Sequence, residues 1–215
     1  MRAFRLTAVA LGCAAAAALG TVASAAAKAA PPNAHDRALI AKLDAKVTAF
    51  RTIAASKGDD KKINDSLKNC AALNKDPSQA FAAVFALLPA LLADLVNEYR
   101  PELTEVRDTL TGLHPDSPLF RRWATAEAQG LNLILRFDNH GKKIDYCAAA
   151  GVLLNKKSTP LQIRDALGVD PALIATLFSS ATSKQSATLK RLNPQMRAFF
   201  RAGGVSAKNA TALTS

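Results

Sequence analysis

No acidic residue precedes Asp36 and none follows Asp170, so both ends of the chain lack negative charge. Aromatic residues are also scarce, with nine Phe, two Tyr and one Trp. Leu and Ala must therefore supply most of any core. No segment sustains an apolar–polar alternation rich in β-branched residues, which excludes a sheet as the organising element. The three cysteines include no Cys-x-x-Cys pair, so dithiol redox chemistry has no basis. His35, His114 and His140 stand singly, without the spacing of a preformed zinc site. Phosphate-cradling glycine loops and a Gly-x-Ser-x-Gly elbow are missing as well. Asp94, Glu98, Glu102 and Glu105 make an acidic row, but glycoside hydrolysis needs two carboxylates opposed across a cleft. Neither an enzyme, a metal centre nor a cofactor is expected.

What is present begins at the N-terminus. Arg2 and Arg5 precede an uncharged stretch from Leu6 to Val22, and Ala23-Ser24-Ala25 supplies a small-x-small site. That order predicts a secretory signal peptide over 1–25, cleaved after Ala25, and a periplasmic or secreted address. The apolar stretch is short and Ala-rich, which argues against an uncleaved span. Lipid attachment at Cys13 is disfavoured by Ala10, where a branched apolar residue is wanted.

Cleavage would also tidy the cysteine count, because it discards Cys13 and leaves Cys70 and Cys147 as a pair for one disulfide. It would take Arg2 and Arg5 away too, lowering the net charge from +11 to +9. Six of the remaining positive charges, from Lys184, Lys190, Arg191, Arg197, Arg201 and Lys208, lie beyond Asp170. Apolar residues make up 49% of the chain, enough for a folded protein rather than a disordered one.

Residues 26–32 read as a flexible leader ending in Pro31-Pro32, 33–203 as a single helical domain, and 204–215 as a tail frayed after Gly203-Gly204. The helical period is clear in Leu39, Ile40, Leu43, Val47, Phe50 and Ile53, with Gly58 as a stop. Asp76-Pro77, Ser117-Pro118, Thr159-Pro160, Asp170-Pro171 and Asn193-Pro194 each put an N-cap side chain before a proline suited to the first helical position. Gln79 and Gln162 complete two capping boxes. No charge interrupts the stretch between Pro77 and Ala93, which predicts a central helix over Phe81–Val96, kinked at Pro89 and ended by Asp94. Pro101 restarts the chain as another helix, and a long helix is expected from Ser117 to Asn139. The fold class is thus all-α: a compact bundle of roughly seven to nine short helices with one inter-helix disulfide.

Three features invite a functional reading. Ile163–Ala175 resembles a helix-turn-helix, but Arg164 replaces the small residue packed between such helices and Pro171 enters the would-be recognition helix. Nucleic acid is therefore not an expected partner. Glu127 interrupts the apolar face formed by Phe120, Trp123, Leu131, Ile134 and Phe137. It is either a perturbed carboxylate beside a ligand cavity at Trp123 or a stripe-edge residue paired with a Lys or Arg. The basic C-terminal segment, with Lys190, Arg191, Arg197 and Arg201, could meet an anionic surface. Two glycosylation acceptor patterns, Asn64-Asp65-Ser66 and Asn209-Ala210-Thr211, are too common to interpret. The sequence thus points to an exported, non-catalytic protein contacting an anionic envelope surface or a protein partner through its C-terminal helices. The alternative is a helical carrier of an apolar small molecule, lipid or haem, with no transmembrane span after cleavage.

Overall fold

The computed structural model describes residues 31–55, 86–181 and 189–214, together with positions 65, 68, 70, 71 and 82. The signal segment, Gly58, the Asp76-Pro77 start with Gln79, and Lys184 lie outside the described residues, as do Phe81, Val84 and Phe85. The described residues form eight helices and no strand, and Cys70 and Cys147 are joined in a disulfide, their Cα atoms 5.3 Å apart. The helices are α1 (Ala34–Ala55), α2 (Leu88–Gly112), α3 (Pro118–Ile134), α4 (Tyr146–Leu154), α5 (Pro160–Leu167), α6 (Ala172–Ala181), α7 (Asn193–Ala202) and α8 (Ala207–Leu213). Among the described residues no helix is long and apolar enough to cross a membrane.

Across the stretch read as one domain, the chain gathers into two compact units, each assembled from segments distant in sequence. Of the described residues, the first comprises 31–55, 105–129, 180–181 and 189–214, the second 86–104 and 130–179 with Cys70 and the other described positions before 86. The division passes through α2 and α3, because long helices can contribute different turns to different cores.

In the first unit, α1 presents Ile40, Leu43 and Val47 inward, as their spacing predicts. Its start is pinned by polar groups. Asn33 Oδ1 accepts the Asp36 N–H at 2.8 Å, its Nδ2 donates to the His114 carbonyl at 3.0 Å, and the buried Asp36 carboxylate accepts the His114 N–H at 2.7 Å.

The residues after Gly203-Gly204 do not fray. Ser206 caps α8, and Asn209 is buried with its amide on α1. Asn209 Nδ2 lies 2.7 Å from Asp44 Oδ1 and 2.6 Å from Thr48 Oγ1, and its Oδ1 accepts from Arg51 at 3.0 Å. A polar anchor does here what an apolar stripe does elsewhere, so hydrophobic periodicity does not reveal it. Gly203 serves close packing: a Cβ there would meet Ile40 Cγ2 at 2.6 Å.

In the second unit the described part of the apolar segment is central, with Leu87, Ala90, Ala93 and Val96 fully buried. Asp94 does not end the helix. Its carboxylate accepts from the Tyr146 hydroxyl and, at 2.5 Å, from Asn139 Nδ2, so the charge is accommodated inside α2. The apolar segment is interrupted at Leu87, so that Pro89 stands in the first turn of α2, and a second irregularity follows at Tyr99 (φ −110°, ψ 16°), before Pro101. Proline lacks an N–H and crowds the carbonyl four residues back, so the helix breaks ahead of it, as the expected restart at Pro101 requires.

The helix expected to reach Asn139 stops at Ile134, because the following loop is recruited to α2. Asn97 donates to Asn139 Oδ1, Arg100 donates to the Leu135 carbonyl at 3.4 Å, and Arg100 pairs with Asp138 at 3.0 Å. Asp94, Asn97 and Arg100 are spaced by three, on one helix face, which lets them grip one loop.

Three of the proline starts cap helices as expected: Ser117 accepts from Phe120 N, Asp170 from Ala172 N, and Thr159 with Gln162 forms a complete capping box. Gly168, in the left-handed conformation (φ 71°), joins α5 to α6, so Ile163–Ala175 spans two short helices meeting at that glycine.

Candidate functional site

The candidate site lies in the first unit, on α3 and the segment that runs back along it. Trp123 is buried, and its indole Nε1 donates to Asn193 Oδ1 at 2.9 Å. Its ring meets Phe200 edge-on with centroids 5.9 Å apart, and Phe120 meets Phe199 the same way at 5.5 Å. Lys190 exerts its charge on Glu127. Residues 190, 193 and 199 therefore match 127, 123 and 120: the C-terminal segment runs antiparallel to α3.

This pairing explains why Asn193 does not cap α7. Leu192 occupies the cap position without a side-chain bond, because the Asn193 side-chain oxygen is committed to the indole. It also bears on the ligand cavity expected at Trp123, where the chain's own aromatic side chains occupy the interior.

Glu127 lies on the same helix face as Trp123 yet is exposed by surface area. Crowding by neighbouring atoms nevertheless desolvates the carboxyl and raises its pKa above the ordinary 4.5, with the Lys190 charge opposing that rise. The exposure decides its chemistry. Water reaches the group, and Lys190 is the cation whose charge acts on it.

The four basic residues singled out in the sequence do not form one cluster of equals. Lys190, Arg191 and Arg201 are exposed. Arg197 is half-buried and donates through Nε to Thr214 Oγ1 at 3.1 Å, which ties α7 to the end of α8. Met196, Phe199 and Phe200 of α7 are buried, so its apolar stripe is consumed in the core.

Two arrangements escape sequence reasoning. The outer face of α3 carries an open groove of about 470 Å³, lined by Pro118, Arg121, Arg122, Thr125, Ala126 and Gln129 together with Leu189. The only visible signal is that these positions recur at helical spacing. The other is His35 stacked on His114, a residue remote from it in the chain, with ring centroids 5.5 Å apart and planes inclined by 20°. His35 Nε2 donates to the Gly112 carbonyl at 3.0 Å. Imidazole lone pairs lie in the ring plane, so near-parallel rings do not converge on one ion. Among the described residues no group of three or more His, Cys, Asp or Glu could hold a metal.

The fold and site thus define an all-helical, disulfide-stapled protein with a cationic groove on one helix. The chain matches no protein-family model, no curated protein and no solved structure.

Proposed function

We propose that this is an exported, non-catalytic protein that contacts an anionic envelope surface by charge, through the cationic face of its C-terminal segment. One observation carries the reading. The apolar side of α7 is buried against α3 while Lys190, Arg191 and Arg201 stay exposed. An amphipathic helix that inserts into lipid needs a free apolar face. Here that face is spent, and what remains outward is positive charge with no acidic residue anywhere beyond Asp170.

Electrostatic contact of this kind weakens as counter-ions screen it, with a Debye length of about 10 Å at 0.1 M salt and about 3 Å at 1 M. The chain lacking residues 1–25 is expected to be retained on immobilised polyphosphate or on phosphatidylglycerol vesicles at low salt and released from either by 1 M salt. The triple variant K190Q/R191Q/R201Q should elute at markedly lower salt than the parent. Absence of retention at low salt, or retention that salt and the triple variant leave unchanged, would overturn the proposal.

A further inference from the structure

The groove on α3 goes further than a diffuse positive surface. It lies along a single helix from Pro118 to Gln129, about 16 Å at 1.5 Å per residue. Among the described residues its only charged lining groups are Arg121 and Arg122. Successive residues on a helix point about 100° apart, so the two guanidinium stems diverge to flank the groove between them. Arg121 is held in place, donating through Nη2 to the Pro115 carbonyl at 3.2 Å, and Arg122 is exposed. Beyond the arginines the lining turns neutral and hydrogen-bonding, with Thr125 and Gln129. Lys190 and Arg191 follow Leu189, which among the described residues adds the lining from outside α3.

We infer that this groove seats an extended, flexible chain of inorganic polyphosphate, with Arg121 and Arg122 binding its phosphate oxygens. A guanidinium presents a planar fork of donors that matches two phosphate oxygens at once, which a diffuse lysine surface does not. A concave, linear seat also suits a single chain. A flat array of lipid headgroups would meet the rim of the groove and leave its floor empty. The inference rests on the proposed reading of the protein as an anion-contacting one and names the partner and the seat.

Linear polyphosphate, labelled for fluorescence anisotropy, tests it with the chain lacking residues 1–25. R122Q and T125W are the main variants: the first removes a phosphate ligand, and the second fills an exposed groove position without changing charge. Each is expected to weaken polyphosphate binding at least tenfold, whereas R201Q, outside the groove, weakens it no more than twofold to threefold. Unchanged near-ultraviolet circular dichroism establishes that each variant is folded. Equal losses for R122Q and R201Q, with T125W neutral, would overturn the groove while leaving the charge-based reading intact. So would binding to phosphatidylglycerol vesicles at least as tight as to polyphosphate and equally insensitive to T125W. No binding to either probe at low salt would remove both.

Discussion

The side-chain oxygen of Asn193 accepts the indole N–H of Trp123 at 2.9 Å, in the interior of the first unit. An Asn-Pro pair of this kind normally caps a helix. Here the same oxygen satisfies a buried donor seventy residues away, and the helix start goes without it. The bond sets the register in which α7 lies along α3.

Replacing Asn193 by Ala leaves that indole N–H buried and unpaired. The expected loss is about 1–3 kcal/mol of folding free energy. Urea denaturation followed by Trp123 fluorescence measures it, and an N193A midpoint equal to the parent's would contradict the role assigned to the bond.

The disulfide joins two segments of the second unit and closes a loop of 77 residues that passes through 105–129 of the first. Constraining an unfolded chain over such a loop is worth about 4–5 kcal/mol in the chain-entropy model. The double variant C70S/C147S, or the reduced protein, should therefore melt well below the oxidised one. Equal melting temperatures in the presence and absence of reductant would show that the bridge adds nothing.

Asp44 predicts a dependence on acid. Burial pushes its carboxyl up, but the Ser206 N–H and the Asn209 amide together outweigh that and hold it below the ordinary 3.8. A carboxyl lowered in the folded state adds stability that is present above 3.8 and lost as pH falls through the lower folded value. N209A should lose stability at neutral pH and show a smaller further loss below pH 3.8. Parallel stability–pH curves for N209A and the parent in that range would refute the linkage.

Glu127 has the opposite sign. Its folded pKa lies above 4.5, so its contribution is most favourable below 4.5 and is lost as pH rises through the folded value. E127Q should remove that slope, provided Lys190 keeps its place. The check is a comparison of parent and E127Q melting temperatures from below 4.5 up to neutral pH, and an unaltered slope would mean that another group carries it.

Gly203→Ala tests the docking of the C-terminal end. The added Cβ would come within 2.6 Å of Ile40 Cγ2, so either α1 or the turn must shift. Overpacking of this kind costs about 1–3 kcal/mol. Gly204→Ala makes a useful comparison, because its Cβ meets no atom within 4 Å but the residue sits at φ 103°, where the cost is backbone strain. Thermal melts of the two variants measure both effects. A G203A protein as stable as the parent would show that Ile40 and Gly203 are not packed as closely as their contact implies.

Much of the architecture is legible in the residues alone. Periodicity in Ile40, Leu43 and Val47, the Ser117, Thr159 and Asp170 caps, and the break ahead of Pro101 are local effects, set by neighbours three or four positions away. The pairing of Cys70 with Cys147 follows from a count once Cys13 is set aside. Those features need no knowledge of what lies across the core.

The remainder depends on partners far away in the chain, and only the tertiary structure decides it. Asp94 stays inside a helix because Tyr146 and Asn139 reach its carboxylate. Asn193 abandons its cap for Trp123, and Asn209 folds a tail that lacks an apolar stripe onto α1. A polar side chain can satisfy its hydrogen bonds locally or at long range at similar free energy, so its sequence neighbourhood does not determine which it does. The acid-free C-terminal segment is visible from composition. That its apolar residues are spent on α3, leaving the cations outward beside a groove, emerges only from the packed chain.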